Sequence, residues 1–322
     1  MSNILQVRDL EVRYQTPNGP AQAVNGVSFD LAHGEFLAVV GESGCGKSTM
    51  LFAIAQLLTY PASQTGGQVL FDGVDLTKLD DEALRLRRWR DISVVMQSAM
   101  NALNPTLTIG AQLADTCRAH TDWDDKQIAE RSAEVLAMVS IDRAHLASYP
   151  FQLSGGMRQR AMIAMALLLE PKLIIMDEPT SALDVVAQKS LMRQVETLRQ
   201  KLGFSVLFVT HDMSVVSHFS DRLAVMYAGE IVELGETREV FDRPKHPYSI
   251  GLMEAFPSLL GQAKELTGIP GNPPSLVNPP KGCLFADRCP KVMDDCRESS
   301  PTLVANGPHS VRCHLVNPVV RS

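Results

Sequence analysis

No stretch of this chain carries the roughly eighteen consecutive apolar residues that a membrane-spanning helix needs; the longest candidates, such as residues 161–169, have the length of a buried core helix. The chain is therefore not expected to cross a bilayer by itself. Its first residues, Met-Ser-Asn-Ile-Leu-Gln-Val-Arg, also lack the basic flank, apolar core and small-residue cleavage site of a secretion signal, which points to the cytoplasm. A basic excess is missing too: 30 lysines and arginines stand against 36 aspartates and glutamates, and the net charge of −6 argues against a nucleic-acid partner. No motif occurs twice and no heptad pattern is sustained, which excludes internal repeats and a long coiled coil. Hydrophobic residues at 45% and charged residues at 20% exclude wholesale disorder, and 322 residues suffice for about two domains.

What is present first is the rhythm of a parallel sheet. An apolar run at 36–40 breaks into a glycine-rich loop at 41–49 and resumes as an apolar helix-like run at 50–58, a strand, loop and helix in succession. Two further β-rich runs, 173–176 and 206–209, flank a helical stretch near 185–201, so the core is expected to be α/β. Residues 106–170 read as mostly helical, with Ile128, Val135, Leu136 and Val139 on one face. Short β-like pieces at 5–14, 23–31 and 68–71 suggest an antiparallel subdomain, and 225–233 reads as a hairpin. Beyond it, five prolines in 270–280 make an extended linker or clamp.

The loop Gly41-Glu-Ser-Gly-Cys-Gly-Lys-Ser-Thr49 has the phosphate-loop spacing. Its glycines let backbone N–H groups close on phosphates, Lys47 supplies a point charge, Ser48 reaches Mg²⁺, and Thr49 adds a hydroxyl at the helix start. Cys45 sits at a variable position and needs no redox role. The run 173–178 is an apolar strand ending in two acids, of which Asp177 suits the Mg²⁺ shell and Glu178 suits polarising a water. After the strand at 206–209 comes His211, placed to contact a γ-phosphate. Finally, Leu153-Ser-Gly-Gly-Met157 puts Ser154, Gly155 and Gly156 at a helix N-terminus suited to a second anion.

With the phosphate loop, Gln97 in Val-Val-Met-Gln-Ser, the Ser-Gly-Gly signature, the acidic strand, Ser181-Ala-Leu-Asp184 and His211 in this order, residues 1 to about 245 closely resemble the ATPase subunits of ATP-binding-cassette (ABC) transporters. The resemblance implies an ABC-type P-loop ATPase with a RecA-like core, an antiparallel β-subdomain and a helical subdomain at about 98–165, all within a nucleotide-binding domain of residues 1–245. It implies ATP and Mg²⁺, held by Gly41, Ser43, Gly44, Cys45, Gly46, Lys47, Ser48, Thr49, Gln97 and Asp177, with Tyr14 stacked on adenine. Lys47, Gln97, Glu178 and His211 would carry catalysis; Ser48, Gln97 and Asp177 would hold the Mg²⁺. In this family two cassettes face head to tail, so Ser154, Gly155 and Gly156 would cap the partner's ATP, while Ser181 to Asp184 communicates across the dimer. The implied assembly comprises a pair of transmembrane permease subunits, a second and paralogous ATPase, and an extracytoplasmic solute-binding protein, with this chain peripheral on the cytoplasmic face of the membrane.

Residues 243–253, with Lys245-His-Pro-Tyr248, look like the oligopeptide/dipeptide importer branch, as does Gly282-Cys-Leu-Phe-Ala-Asp-Arg-Cys-Pro290, and residues 246–322 form the corresponding C-terminal region. The stretch 97–105 resembles that branch as well, but Ser98-Ala99 stands where an acidic-proline pair is commoner. Peptides are therefore the expected solute, with oligosaccharide or nickel import, or a soluble non-transport ABC ATPase, as alternatives. Cys283, Cys289, Cys296 and Cys313 are separated by five, six and sixteen residues, looser than zinc knuckles. Four such thiols can hold zinc or an iron–sulfur cluster, or stay unbridged or disulfide-linked. The resemblance implies a 4Fe-4S cluster, with Zn²⁺ as the alternative; His309 and His314 nearby read as solvent-facing or structural.

Overall fold

A computed structural model describes residues 2–97, 102–181, 183–255, 268–307 and 309–317. Strands β1 (Asn3–Thr16), β2 (Gly19–Ala32) and β3 (Phe36–Val40) lead into the glycine loop and helix α1 (Lys47–Ile54). After β4 (Ala62–Phe71), β5 (Val74–Asp75), α2 (Asp81–Arg87) and β6 (Ile92–Val95) come the helices α3 (Ile109–His120), α4 (Asp125–Met138) and α5 (Gly155–Leu167). Strand β7 (Leu173–Asp177), α6 (Val185–Leu202), β8 (Ser205–Val209), α7 (Met213–Phe219) and the hairpin β9 (Arg222–Tyr227) and β10 (Glu230–Glu236) follow. The tail adds α8 (Thr237–Asp242), α9 (Pro247–Glu254), α10 (Asp294–Glu298) and a small hairpin, β11 (Val304–Asn306) and β12 (His309–Val311). Among the described residues no helix is long and apolar enough to cross a membrane.

The chain groups into two compact units, each discontinuous in sequence. The first contains Met1–Ile4, Leu31–Phe36 and Phe71–Thr210. In it β6, β7 and β8 run parallel, with Ile92 opposite Leu173 and Leu173 opposite Ser205. Leu173, Ile174, Ile175 and Met176 are all fully buried, as a parallel strand covered on both faces requires. Helix α6 is stopped at both ends by local chemistry: Asp184 accepts from the Ala187 N–H at its start, and Gly203 takes the left-handed conformation at its end. Its Leu191, Met192, Val195 and Leu198 are spaced to bury one face. Helix α4 begins with a capping box between Asp124 and Gln127 and buries Ile128, Val135 and Leu136. Arg131 reaches from it to the carbonyls of Leu167 and Leu168 at the end of α5, where a cation meets the negative pole of the helix.

The second unit contains Leu5–Asp30, Leu37–Leu70 and His211–Ser322. Strand β3 pairs in parallel with β9, which turns back antiparallel into β10 through Ala228 and Gly229, both at positive φ as a tight hairpin demands. Strand β12 then pairs with β10, so the end of the chain extends the sheet. Val225, Tyr227, Val240, Tyr248, Leu284 and Phe285 share one buried apolar cluster, which supplies the tail with a core it could not build alone.

The Lys-His-Pro-Tyr segment has a local physical reason. The Glu233 carboxylate, fully buried on β10, accepts from the backbone N–H groups of Lys245 and His246 and lies 2.8 Å from His309 Nδ1. Burial lowers the His246 pKa to about 3, which keeps the ring neutral and lets its Nδ1 accept from the Tyr248 N–H at 3.0 Å. Pro247 occupies the first turn of α9, where a missing N–H costs nothing. His309 and His314 are both buried, so of the two sequence readings for them the structural one holds and the solvent-facing one does not.

Candidate active site

In the second unit, β3 delivers the glycine loop to the N-terminus of α1, and two of the glycines are forced by crowding. A Cβ on Gly41 would lie 2.1 Å from the Met226 carbonyl, and one on Gly46 would lie 2.1 Å from the Ala23 carbonyl. Gly46 also caps α1 at φ 103, a conformation that L side chains rarely adopt. Gly44 has positive φ but open space around it. Lys47 is buried, and its Nζ donates to the carbonyls of Gly41 at 2.8 Å and Glu42 at 2.9 Å. Ser48 and Thr49 follow on the first turn of α1, and the Tyr14 hydroxyl sits 3.1 Å from the Thr49 hydroxyl. Burial pushes the Cys45 thiol up, against the pull of Lys47, as expected of an unreactive side chain.

In the first unit the acidic strand ends as its composition suggests. Asp177, 2% exposed, is the last residue of β7. Glu178 follows at φ 45, a left-handed conformation uncommon for a non-glycine residue and stored here at the strand's end. Its N–H donates to the Val209 carbonyl at 2.9 Å. Gln97, two residues past β6, donates from Nε2 to Glu178 Oε2 at 3.0 Å. The sequence motifs thus meet in space at this point, because β6 and β7 are neighbours and parallel. The rest of the Gln97 loop, 98–101, including the unusual Ser98-Ala99 pair, lies outside the described residues, as does Ala182.

Ser154 caps α5 by accepting from the Met157 N–H at 3.3 Å, and Gly155 and Gly156 form its first turn. A Cβ on Gly156 would meet nothing within 4 Å. Among the described residues nothing therefore requires glycine there. In the second unit, His211 stands directly before Asp212, which accepts from the Ser214 N–H and starts α7.

The sequence matches the family model for the ABC transporter over residues 24–181 and that for the oligopeptide/dipeptide transporter C-terminal region over residues 232–296. It is 44% identical over 319 residues to the dipeptide transport ATP-binding protein DppD of Bacillus subtilis, covering 98% of this chain and 95% of the relative. It is 42% identical over 311 residues to the oligopeptide transport ATP-binding protein OppD of Salmonella typhimurium, covering 96% of this chain and 92% of that one. The chain belongs to the ABC transporter ATPase family. Its fold is that of an ABC cassette: the dimeric MJ0796 cassette, solved bound to ADP and Pi, superposes with a TM-score of 0.66 at 30% identity, covering 73% of this chain and 99% of that one. ATP hydrolysis coupled to transport is the activity of this ABC ATPase.

The C-terminal region of this ABC ATPase gathers its cysteines. Cys283, Cys289, Cys296 and Cys313 line one small cavity with His246, Phe285 and His314. No disulfide joins any of the four in the structure. Burial pushes Cys283 up to about 12 and raises Cys289 and Cys313 as well, with neighbouring cysteines adding to the effect. Among the described residues, however, no group of three or more His, Cys, Asp or Glu side chains is disposed to hold a metal ion. A mononuclear zinc centre needs its ligands to meet at one point, so the Zn²⁺ alternative does not fit this arrangement. Neither the structure nor the relatives' names supply a 4Fe-4S cluster.

Sequence reasoning missed the groups that tie this tail to the glycine loop. Glu42 lies inside the loop, and its carboxylate is paired with Arg288 from the cysteine-rich region. The signal was available in kind, since an acid in a phosphate loop calls for a nearby cation.

Proposed function

We propose that this chain hydrolyses ATP on the cytoplasmic face of the membrane to drive import of di- or oligopeptides through partner permease subunits. The observation that carries this reading is the likeness, nearly end to end and tail included, to dipeptide and oligopeptide transport ATP-binding proteins. Oligosaccharide, nickel and non-transport readings have no comparable support.

In the hydrolytic step the phosphate loop binds the β- and γ-phosphates through its N–H groups and Lys47, while Tyr14 stacks on the adenine. The crowded glycines at 41 and 46 fit such a cradle, because a side chain there would displace the backbone that lines it. Mg²⁺, when bound, neutralises charge on the phosphate oxygens. The Ser48 hydroxyl, the Asp177 carboxylate and the Gln97 amide oxygen are the hard donors suited to it. With the Gln97 nitrogen committed to Glu178, the oxygen of the same amide is the end that can meet a cation. Glu178 takes the proton from the attacking water, and His211 steadies the γ-phosphate. Ser154, Gly155 and Gly156 act across a head-to-tail dimer on the partner's nucleotide, a role supported by the open space at Gly156. The partner ATPase is a paralogue, and a solute-binding protein completes the system. The domain division at 245 and the helical subdomain at 98–165 belong to the same reading.

For the four cysteines we infer a 4Fe-4S cluster that fastens the tail. A cluster distributes its thiolates over several iron atoms, so they need to share a cavity without meeting at one point. Chain isolated anaerobically is expected to contain iron and acid-labile sulfide in equal amounts, both lost in Cys289→Ser. Iron-free protein of unchanged stability would remove the cluster.

Mass spectrometry of what copurifies with the tagged chain from detergent-solubilised membranes of its own host tests the assembly. Polytopic subunits, a second cassette ATPase and a solute-binding protein are the expected partners. Ribosomal or DNA-repair proteins without membrane subunits would overturn the transport reading and leave the ATPase chemistry.

A further inference from the structure

We propose that Arg288, in the cysteine-rich tail, is a positioning residue for the ATP site, holding the phosphate loop in register through Glu42. Its guanidinium makes a two-pronged ion pair with the Glu42 carboxylate, at 2.7 Å and 2.8 Å. The Arg288 side chain is 5% exposed and the Glu42 side chain 27%, so the pair is partly withdrawn from water and is sensitive to loss of either member. Further donors hold the guanidinium against the tail and the sheet: Nε donates to the Pro270 carbonyl at 2.9 Å, Nη2 to the Ile269 carbonyl at 3.1 Å and Nη1 to the Tyr227 hydroxyl on β9 at 3.3 Å. Its charge also lies over the Tyr227 and Phe285 rings.

Glu42 is held from three directions. Besides its carboxylate on Arg288, its N–H donates to the Tyr248 hydroxyl at 2.9 Å, and its carbonyl accepts from Lys47 Nζ at 2.9 Å. One of the two residues that receive the lysine's hydrogen bonds is thus the one the tail grips. Tail residues Pro273, Pro274 and Leu276 line a cavity together with Glu42, Ser43, Gly44 and Cys45, so the contact covers the first half of the loop. Arg288 itself sits on the turn between Cys283 and Cys289, next to the second of these cysteines. The chain therefore builds part of its nucleotide site from residues more than two hundred positions away. The proposal rests on the phosphate-loop reading of 41–49.

The test uses the full-length chain with a fluorescent ATP analogue for affinity and Mg-ATP for turnover. Arg288→Gln and Glu42→Gln are each expected to weaken ATP affinity about tenfold, equivalent to about 1.4 kcal/mol of lost loop placement. The double variant should bind no more weakly than the poorer single variant, because both changes cut one link. Arg288→Lys, which keeps the charge but not the fork, should recover part of the affinity. Glu42→Gln retains the bonds from Arg288 to Pro270 and Ile269, so it tests the link even where Arg288→Gln does not fold. A lowered unfolding temperature with unchanged nucleotide affinity would reduce Arg288 to a structural anchor and overturn the proposal. Lys47→Ala separates the two readings: loss of binding there, with Glu42→Gln and Arg288→Gln unaffected, defeats this inference alone. Normal ATP binding in Lys47→Ala defeats the phosphate-loop assignment and this inference with it.

Discussion

Glu178→Gln is expected to lower ATP turnover by about 10²- to 10⁴-fold, the range a positioned general base contributes, while nucleotide affinity stays near the parent value. The substitution is nearly isosteric, and the new amide oxygen can still accept from Gln97 Nε2, so the contact at 3.0 Å need not be lost. The backbone bond from residue 178 to the Val209 carbonyl is likewise independent of the side chain. What disappears is a carboxylate able to take a proton. The strained φ of 45° supports a role at this position, because strain persists where the surroundings hold a side chain in a working orientation. Single-turnover hydrolysis alongside equilibrium nucleotide binding checks the prediction; a variant turning over at the parent rate would remove Glu178 as the base.

Gly46→Ala is expected to cost about 100-fold or more in ATP affinity, since the loop must shift by a substantial fraction of an ångström to admit the methyl group. That group would lie 2.1 Å from the Ala23 carbonyl, a backbone atom fixed within β2, and the residue would be held at φ 103. Neither conflict can be relieved by turning a side chain. Gly44→Ala supplies the contrast within the same loop. Its added Cβ meets nothing within 4 Å, and the penalty is confined to positive φ, about 1 kcal/mol. Nucleotide titration of both variants, with circular dichroism as the check on folding, should rank Gly46→Ala far below Gly44→Ala. Equal losses would mean that the loop tolerates displacement and that crowding by Ala23 is irrelevant to binding.

The parts of this fold that were legible in the sequence are those where local pattern and tertiary role coincide. The run Leu173 to Asp177 is apolar throughout because both faces of β7 are covered, and its terminal acids stand where β7 ends. The helical reading of 106–170 rested on side-chain periodicity, and Ile128, Val135, Leu136 and Val139 are all buried. Strand β6 is only four residues long, too short for alternation to distinguish it, although it places Gln97 beside Glu178. The tail was the least legible. Glu233, Lys245, His246 and His309 form their buried network across some 76 positions, a separation that no periodicity reports. The pairing of Glu42 with Arg288 spans 246 positions and depends on the tail folding back over the loop. The proline-rich stretch could be read as a linker or a clamp, but what it clamps required the structure: the Leu276 carbonyl accepts from the Gln22 N–H, and Pro273 and Pro274 lie against the glycine loop.

Whether ATP hydrolysis by this chain powers peptide import is decided by uptake of a labelled dipeptide and a labelled oligopeptide in the native host, with the chromosomal copy replaced by the Glu178→Gln variant. Uptake of at least one of them is expected to collapse to the level of a strain lacking the permease subunits, with membrane assembly of the complex preserved. Uptake of both at the parental rate, with the variant assembled and hydrolytically silent, would contradict it.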